Sequence, residues 1–235
     1  DGTNTLAAQT TAITITDVEI TITASQSDSI AESASSGASV LTVATTGDVD
    51  DNDFAIASGN TGTAFAINAA SGAITTAAAL DYETTTSYTL GITVSDGDTT
   101  DSENVVITIT DVNDQTPAVS VASTYSHAEA TATTFQTYTI TDSDTTGTYT
   151  CTLDGDDAAD FTASISAKVC TVVWAAAPNF ESPTDDDTDN VYDITIAFSD
   201  GTNDLSAQTT AVTVTDVNDQ TPAATVAATY SQAEA

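Results

Sequence analysis

Acidic residues recur at matching positions along two long stretches of this chain. Each stretch carries an early Glu, then two Asp residues separated by one residue, then an Asp or Asn two residues before a Glu, then an Asp that precedes a Gly. Each stretch ends in Asp-Val-Asn-Asp-Gln-Thr-Pro, at 111–117 and 216–222. Ca²⁺ binds about six to eight oxygen atoms, from carboxylates, amides and carbonyls. The recurring series therefore predicts that several of these side chains bind calcium together.

The composition is strongly anionic. The chain has 35 Asp and Glu against one Lys or Arg, which gives a formal net charge of −34. Phosphate contacts and anionic membrane surfaces both require basic side chains, so we expect no nucleic-acid partner and no binding to such membranes. No stretch approaches 18 consecutive apolar residues, so we expect no membrane insertion in this segment. Converging carboxylates repel by about 1 kcal/mol per pair at 4 Å in water, and divalent ions would turn that repulsion into coordination.

Alternating apolar and polar residues predict many short β-strands. The alternation is clearest at 12–16, 105–110, 192–198 and 211–215, where Val, Ile and Thr dominate. Such alternation of β-branched residues is typical of half-buried strands. Clusters of Asp, Gly, Asn and Ser separate these stretches, and none shows the helical spacing of apolar residues. We therefore expect an all-β chain of antiparallel β-sandwiches.

Near-identical segments show that the chain is built of repeats. Residues 1–18 nearly repeat residues 200–217, and residues 221–235 nearly repeat residues 116–130. The period of roughly 100 residues fits one sandwich per repeat. We therefore interpret the chain as a segment of a longer tandem array. Its expected parts are the last strands of a preceding repeat at 1–17, whole repeats at 18–115 and 116–220, and the first strand of a following repeat at 221–235.

The acidic series resembles that of the cadherin repeat along essentially the whole chain. The shared features are the Glu of the first strand, the Asp-x-Asp pair, the Asp-x-Glu tripeptide and the Asp-x-Asn-Asp linker. The stretches at 71–97 and 179–201 look especially like the cadherin-like repeats of large prokaryotic surface proteins. The resemblance implies Ig-like, seven-stranded Greek-key β-sandwiches joined end to end, with up to three Ca²⁺ ions at each joint.

The resemblance also assigns metal ligands position by position. The joint between the two whole repeats would use Glu32, Asp81, Glu83, Asp111, Asn113, Asp114, Asp142, Asp144 and Asp200. The joint after the second repeat would use Glu129, Glu181, Asp216, Asn218 and Asp219. The joint before the first repeat would use Asp48, Asp50 and Asp96.

The sequence departs from the cadherin pattern at three places. Gln115 replaces the usual linker Asn, and Asn179 replaces the Asp of Asp-x-Glu, which removes one negative charge from the last joint. At 17–22 the chain reads Asp-Val-Glu-Ile-Thr-Ile, without the Asn-Asp and Pro of the linker. We therefore expect fewer ions at the first joint, and a more flexible or differently angled junction there.

Cys151 and Cys170 are the only cysteines, and both lie in strand-like stretches. A metal or redox site normally requires closer spacing or a neighbouring His, and the only His is His127. A disulfide that closes about 20 residues would contribute roughly 3 kcal/mol in the loop-entropy model. We therefore favour a structural disulfide over two buried free thiols, and with it an oxidising, extracytoplasmic compartment.

Other notable residues have structural interpretations. We expect His127 to be an exposed strand residue, because its counterpart in the later segment is Gln232. The acidic run at 185–189 is interpreted as a solvated loop, with an additional cation site as the alternative. The aromatic residues are interpreted as core residues, with carbohydrate stacking as the alternative for Trp174: Phe54, Phe65, Tyr82, Phe161, Trp174 and Phe180.

The sequence favours a non-catalytic function. Its carboxylates recur once per repeat at domain edges, where no glycosidase-like cleft is implied, and it has no nucleophile triad or phosphate loop. We predict a structural and adhesive segment of a long extracellular surface or secreted fibre, stiffened by calcium. Its partners would be neighbouring repeats, and like chains or a cell-surface or glycan receptor. Two alternatives remain: a glycan- or protein-binding surface module, and an acid-rich coat or sheath filament protein of a salt-adapted organism.

Overall fold

The computed structural model of the chain describes residues 10–13, 18–47, 52–130, 134–224 and Gln232. These residues form strands and turns, with short 3-10 turns at Thr61–Thr63 and Ala158–Asp160. No helix in this described part is long and apolar enough to cross a membrane. The strands of the described residues are β1 (Thr21–Ile22), β2 (Gln26–Ala31), β3 (Ser39–Thr42), β4 (Thr45–Thr46), β5 (Asp53–Ser58), β6 (Phe65–Ile67), β7 (Ala73–Thr76), β8 (Ser87–Ser95), β9 (Thr100–Thr110), β10 (Thr124–Ala128), β11 (Thr134–Thr139), β12 (Thr150–Asp154), β13 (Phe161–Ser166), β14 (Val169–Trp174), β15 (Val191–Ser199) and β16 (Asp204–Thr215).

The chain divides into two compact units, residues 1–112 and residues 113–235. In the first unit, β2, β9, β8 and β5 form one sheet in that order, and β3, β7 and β6 form a second sheet. β2 runs parallel to β9, whereas the other neighbouring strands of the two sheets are antiparallel. β1 pairs with β4 in a separate two-stranded ribbon.

Alternation along β8 and β9 builds the core of the first unit. Leu90, Ile92 and Val94 of β8 are buried, as are Val105 and every second residue after it in β9. Side chains of a strand point alternately to its two faces, so this pattern places one face of the sheet against the second sheet. The strand predicted at 105–110 is confirmed as the last part of β9.

The second unit repeats the strand topology of the first. β10, β16, β15 and β12 form one sheet, and β11, β14 and β13 form the other. β10 runs parallel to β16, as β2 does to β9. The strands predicted at 192–198 and 211–215 lie within β15 and β16. The predicted all-β fold of tandem seven-stranded sandwiches is therefore confirmed.

Aromatic side chains fill the core of the second unit. The ring centroids of Trp174 and Phe161 are 4.2 Å apart, and those of Trp174 and Tyr192 are 4.9 Å apart. Trp174 is buried, which agrees with a core residue and leaves no ring face for a sugar. His127 lies 5.5 Å from the Trp174 ring and is half-buried. The expectation that His127 is exposed is therefore wrong, because packing against the tryptophan covers it.

A disulfide joins the two sheets of the second unit. Cys151 lies in β12 and Cys170 in β14, and their Cα atoms are 6.0 Å apart. The predicted pairing is confirmed. Because β12 and β14 belong to different sheets, the bond crosses the sandwich and adds a covalent link to its aromatic core.

The boundary between the units falls after Val112, whereas the sequence predicts that the second repeat begins at residue 116. Residues 113–115 group with the second unit because their polar groups bond to it. Residues 10–13 and 221–224 are exposed and lie in no strand. The rest of the predicted flanking segments, at 1–17 and 221–235, lies outside the described residues except for Gln232.

Candidate metal centres

In the first unit, the buried carboxylate of Glu32 joins two segments that are distant in sequence. Glu32 directly follows β2, and its oxygens accept hydrogen bonds from the N–H of Val112 at 2.7 Å and of Tyr82 at 2.6 Å. Val112 follows the predicted ligand Asp111, and Tyr82 precedes the predicted ligand Glu83. Glu32 therefore fixes the backbone beside both ligand positions.

Two other predicted ligands of the first unit stabilise turns. Asp81 accepts hydrogen bonds from the N–H and hydroxyl of Thr84, at 2.8 and 2.9 Å. Asp96 does the same with Thr99, at 2.7 and 3.0 Å. The N–H of Thr99 is the largest influence on the pKa of Asp96, which lies below its usual value. Two further predicted ligands lie outside the described residues: Asp48 and Asp50.

In the second unit, Glu129 takes the position that Glu32 holds in the first. Glu129 is 2 % exposed, and its oxygens accept hydrogen bonds from the N–H of Val217 at 2.7 Å and of Phe180 at 2.8 Å. These bonds, Val217 first, lower the pKa of Glu129. One oxygen each of Glu129, Glu181 and Asp219 lies within 4.8 Å of the other two. Opposite ligands of one Ca²⁺ are about 4.8 Å apart, so these oxygens are close enough to share one ion.

Like charges crowd Glu181 in this cluster. Its pKa is raised, first by loss of hydration and then by the negative charges of Glu129, Asp219 and Asp216. A raised carboxyl pKa means that the ionised form is disfavoured, and a bound cation would reverse that preference. The other predicted ligands here, Asp216 and Asn218, are exposed at the end of the described chain.

A second cluster of the second unit consists of Asp142, Asp144 and Asp200. One carboxylate oxygen of each lies within 4.8 Å of the other two. Asp144 is 1 % exposed and Asp200 is fully buried. Burial opposes ionisation of Asp200, but hydrogen bonds from the N–H of Asn203 and Thr202 outweigh it, so its pKa lies below the usual value. Two of the three residues are buried and Asp142 is half-buried, and buried charge is costly when it is unpaired.

The segment that begins the second unit covers this cluster. The side-chain amide of Asn113 donates to the carbonyl of Asp200 and to the hydroxyl of Thr202, each at 3.2 Å. The N–H of Gln115 donates to the carboxylate of Asp144 at 2.9 Å. The side-chain oxygen of Asn113 is buried and accepts no hydrogen bond from any described residue, which is rare for a buried acceptor. An amide oxygen is a good Ca²⁺ ligand, so these residues fit a calcium ion.

The only basic side chain of the protein contacts the same cluster. Nζ of Lys168 donates to the main-chain carbonyls of Asp142 at 2.9 Å and Asp144 at 3.0 Å, and lies 5.3 Å from the centre of the Tyr149 ring. The Tyr149 hydroxyl donates to the carboxylate of Asp142 at 2.9 Å. Mainly through burial, the pKa of Tyr149 is raised. Lys168 thus orders the backbone of the Asp-x-Asp segment through the carbonyls of Asp142 and Asp144. The carboxylates of these two residues remain available to bind a cation.

Sequence reasoning missed Lys168 and Asp157 as organising residues. Lys168 carries a signal in its uniqueness, because one basic residue in a chain of charge −34 is expected to be paired. Asp157 carries none, yet it is buried and accepts hydrogen bonds from the N–H of Asp186 and Asp193. Two other residues named from the linker and Asp-x-Glu motifs are exposed and engaged locally: Asp114 with the Gln115 amide, and Asn179 with the Ser182 N–H.

Comparison with known proteins identifies the class of fold. The family model described as Cadherin domain matches residues 26–110. Extracellular cadherin domains 3–6 of protocadherin gamma B2 are similar at 27 % identity and a TM-score of 0.60, covering 83 % of this chain and 46 % of that chain. The human desmocollin-1 ectodomain is 18 % identical with a TM-score of 0.69, covering 83 % and 41 %. Mouse cadherin-23 EC22–24 is 22 % identical with a TM-score of 0.62, covering 86 % and 65 %.

Residues 26–110 therefore match the cadherin domain, and the second unit shares the strand topology of the first. The chain spans about half the length of the solved chains it matches. Cadherin domains are extracellular adhesion modules without catalytic activity, which confirms the prediction that this segment is not an enzyme.

Proposed function

We propose that this segment is a calcium-binding, structural and adhesive part of a long extracellular fibre or adhesin. The observation that carries the proposal is the pair of carboxylate clusters in the second unit, around Glu129 and around Asp144. Each cluster brings three oxygens within 4.8 Å, and backbone N–H groups orient its most buried carboxylates.

The residues of the chain prepare these clusters for an ion. Glu129 holds the backbone of two segments, Asn203 and Thr202 keep Asp200 ionised, and Lys168 orders the Asp-x-Asp segment. Ca²⁺, when bound, supplies two positive charges and coordinates oxygens of several segments at once. Such binding would link these chain segments to one another.

A mechanical role follows from the tandem arrangement. Each unit of such an array contacts mainly its neighbours, so the reach of the array scales with the number of units. We propose that calcium stiffens successive joints and that the array holds a partner away from the cell or forms a filament. The likeness of 71–97 and 179–201 to repeats of prokaryotic surface proteins supports a prokaryotic fibre.

The proposed setting is extracellular, at the cell surface or in a secreted appendage. The disulfide between Cys151 and Cys170 supports an oxidising compartment. The proposed partners are neighbouring repeats and like chains. One similar structure, that of protocadherin gammaB7 EC3–6, is a cis-dimer, which is a precedent for self-association of this fold.

Small-angle X-ray scattering with and without chelator tests the mechanical proposal. In Ca²⁺ the full chain should give a larger maximum dimension than in chelator, where proteolysis at 111–117 should also accelerate. Asp144→Asn should make the scattering in Ca²⁺ resemble that in chelator, whereas the exposed control Asp156→Asn should behave as the wild type. Identical scattering profiles with and without calcium would contradict the proposal.

The net charge of −34 supports one rival function. Many of the acidic residues lie outside the two clusters, as expected for a filament protein adapted to high salt. That rival predicts a stabilisation that follows ionic strength and does not distinguish Ca²⁺ from Mg²⁺. A glycan array would separately test the alternative of a glycan-binding module.

A further inference from the structure

The second unit contains an acidic loop that the first unit lacks. Residues 182–190 connect Glu181 to β15, whereas residues 84–86 make the corresponding connection between Glu83 and β8. The longer connection includes Asp-Asp-Asp-Thr-Asp-Asn at 185–190, which we name the 185–190 loop. Neither cluster of the proposed function includes a residue of this loop.

Three carboxylates of the 185–190 loop converge. One oxygen each of Asp185, Asp187 and Asp189 lies within 4.8 Å of the other two. Loss of hydration raises the pKa of Asp187, and the negative charges of Asp189 and Asp185 add to it. Asp187 and Asp189 are exposed, and exposed acidic groups commonly lie together without an ion. Asp185 differs from these two residues because it is buried.

Asp185 has one carboxylate oxygen that lacks a hydrogen-bond donor among the described residues. The side chain is 3 % exposed, and its Oδ2 accepts the N–H of Asp189 at 2.7 Å and of Asn190 at 3.1 Å. Its Oδ1 is buried and accepts no hydrogen bond from the residues that the structure describes. The expectation of a simple solvated loop is therefore wrong for Asp185, because a solvated carboxylate would have both oxygens in water.

Asn190 of the same loop also has a buried side-chain oxygen. Its amide nitrogen donates to the carbonyl of Phe180 at 3.1 Å, while its Oδ1 is buried and, within the described part of the chain, accepts no hydrogen bond. Buried polar atoms nearly always have a partner. Both Asp185 Oδ1 and Asn190 Oδ1 are acceptors, so the partner that each of them lacks is electropositive.

The chain has no basic side chain to serve as that partner. Its one Lys or Arg, Lys168, is bonded to the carbonyls of Asp142 and Asp144. Its two cysteines form the disulfide, and its one His packs against Trp174. Carboxylate and amide oxygens without thiolate or imidazole select a hard cation over zinc, and an irregular set of such oxygens suits Ca²⁺ better than Mg²⁺.

We infer that the 185–190 loop binds a Ca²⁺ ion through Asp185, Asp187 and Asp189, with the side-chain oxygen of Asn190 as a further ligand. Asp157 prepares the loop by accepting the N–H of Asp186 at 2.8 Å. The site lies wholly within the second unit. None of its residues belongs to either cluster of the proposed function, so the ion would order the loop even where those clusters bind nothing.

Isothermal titration of Ca²⁺ into the chelated full chain, with hydrogen exchange resolved by peptide, tests the inference. The variant carries Asp187→Asn and Asp189→Asn, and the matched control carries Asp154→Asn and Asp156→Asn, which neutralises two exposed charges elsewhere in the same unit. The site variant should bind one Ca²⁺ fewer per chain and lose calcium-dependent protection at 182–190. The control should keep both.

An unchanged ion count in the site variant would overturn the inference. So would wild-type exchange at 182–190 that does not respond to Ca²⁺, which decides the matter even for a variant that folds poorly. Protection at 182–190 without protection around Asp144 and Glu129 would support this site and contradict only the proposed function.

Discussion

The Asp-Gly turns of the two units share their hydrogen bonds and differ in burial. Asp96 accepts the N–H groups of the two residues after Gly97, at 3.1 and 2.7 Å, and Asp200 accepts those of the two residues after Gly201, at 2.8 and 2.7 Å. Asp200 is fully buried, whereas Asp96 is only half-buried. Such turns form wherever an Asp side chain meets the following backbone, so turn chemistry alone does not make a metal site.

The segments that precede β2 and β10 also differ between the two units. In the first unit Ile20 and Ile22 are buried in the core, and β1 pairs with β4. In the second unit Asn113 and Gln115 bond to the acidic cluster. An apolar segment is stabilised by burial and brings no ligands. A polar segment encloses carboxylates, and among the described residues, which leave out Asp48 and Asp50, this enclosure is found in the second unit.

The largest expected effect concerns the apolar segment of the first unit, which contains Ile20. Ile20→Ala should lower the free energy of unfolding of the first unit by about 2–5 kcal/mol, because it leaves a cavity at a fully buried position. Hydrogen exchange resolved by peptide would measure the loss for each unit. The loss should be the same in Ca²⁺ and in chelator, and Ile13→Ala, at a position 86 % exposed, should change nothing. A loss that calcium repairs would contradict the comparison.

Reduction of the disulfide should affect the second unit alone. Cys151 and Cys170 are 19 residues apart in sequence, and opening a loop of that size should cost about 3 kcal/mol of unfolding free energy. Trp174 is the only tryptophan and lies in this unit, so urea unfolding followed by its fluorescence reports the change. An unfolding midpoint that reduction leaves unchanged would contradict a stabilising role for the disulfide.

Lys168→Met should lower the unfolding free energy of the second unit by about 1–3 kcal/mol in chelator, because two charge-assisted hydrogen bonds are lost. The loss should be smaller in Ca²⁺, since a bound ion would itself order Asp142 and Asp144. Lys168→Arg, which keeps the charge, should lose less than Lys168→Met. Equal losses of unfolding free energy for Lys168→Met with and without calcium would show that Lys168 does not influence the cluster.

The sequence predicts the strands and the positions of the clusters better than their surroundings. Alternation of β-branched residues locates β9, β15 and β16, because a half-buried strand has a period of two. The burial of Asp185 and the half-burial of His127 depend on tertiary packing, which leaves no periodic signal.

Main-chain contacts account for other features that the sequence does not predict. Gln115 reaches the cluster through its backbone N–H, and Lys168 reaches it through backbone carbonyls. Every residue except proline has both of these backbone groups, so residue identity does not reveal which of them will be used.

Glu181→Gln should have small effects of opposite sign. In chelator it should raise the melting temperature of the second unit slightly, because repulsion from Glu129, Asp219 and Asp216 is relieved. In Ca²⁺ it should reduce the gain in melting temperature, because a carboxylate ligand is lost. Asp156→Asn is the matched control and should alter neither value. If Ca²⁺ raises the melting temperature of Glu181→Gln as much as that of the wild type, Glu181 is not a ligand of the ion.

Acidification should gradually lower the stability of the second unit as Glu129 and Asp200 become protonated. The pKa values of Glu129 and Asp200 are lowered in the folded state, so their stabilisation is complete above their unfolded pKa values and is lost as the pH falls through the folded ones. Glu129→Gln should flatten this dependence in a titration followed by Trp174 fluorescence. An unchanged profile would show that Glu129 does not contribute.

Thermal unfolding of the second unit in Ca²⁺ and in Mg²⁺, followed by Trp174 fluorescence, tests most directly whether the carboxylate clusters bind calcium. A ligand at 100 times its Kd adds about 2.7 kcal/mol to the stability of the form that binds it. Millimolar Ca²⁺ should therefore raise the melting temperature by several degrees, and Mg²⁺ at the same concentration by much less. Equal shifts with the two ions, or none with either, would contradict calcium binding at these clusters.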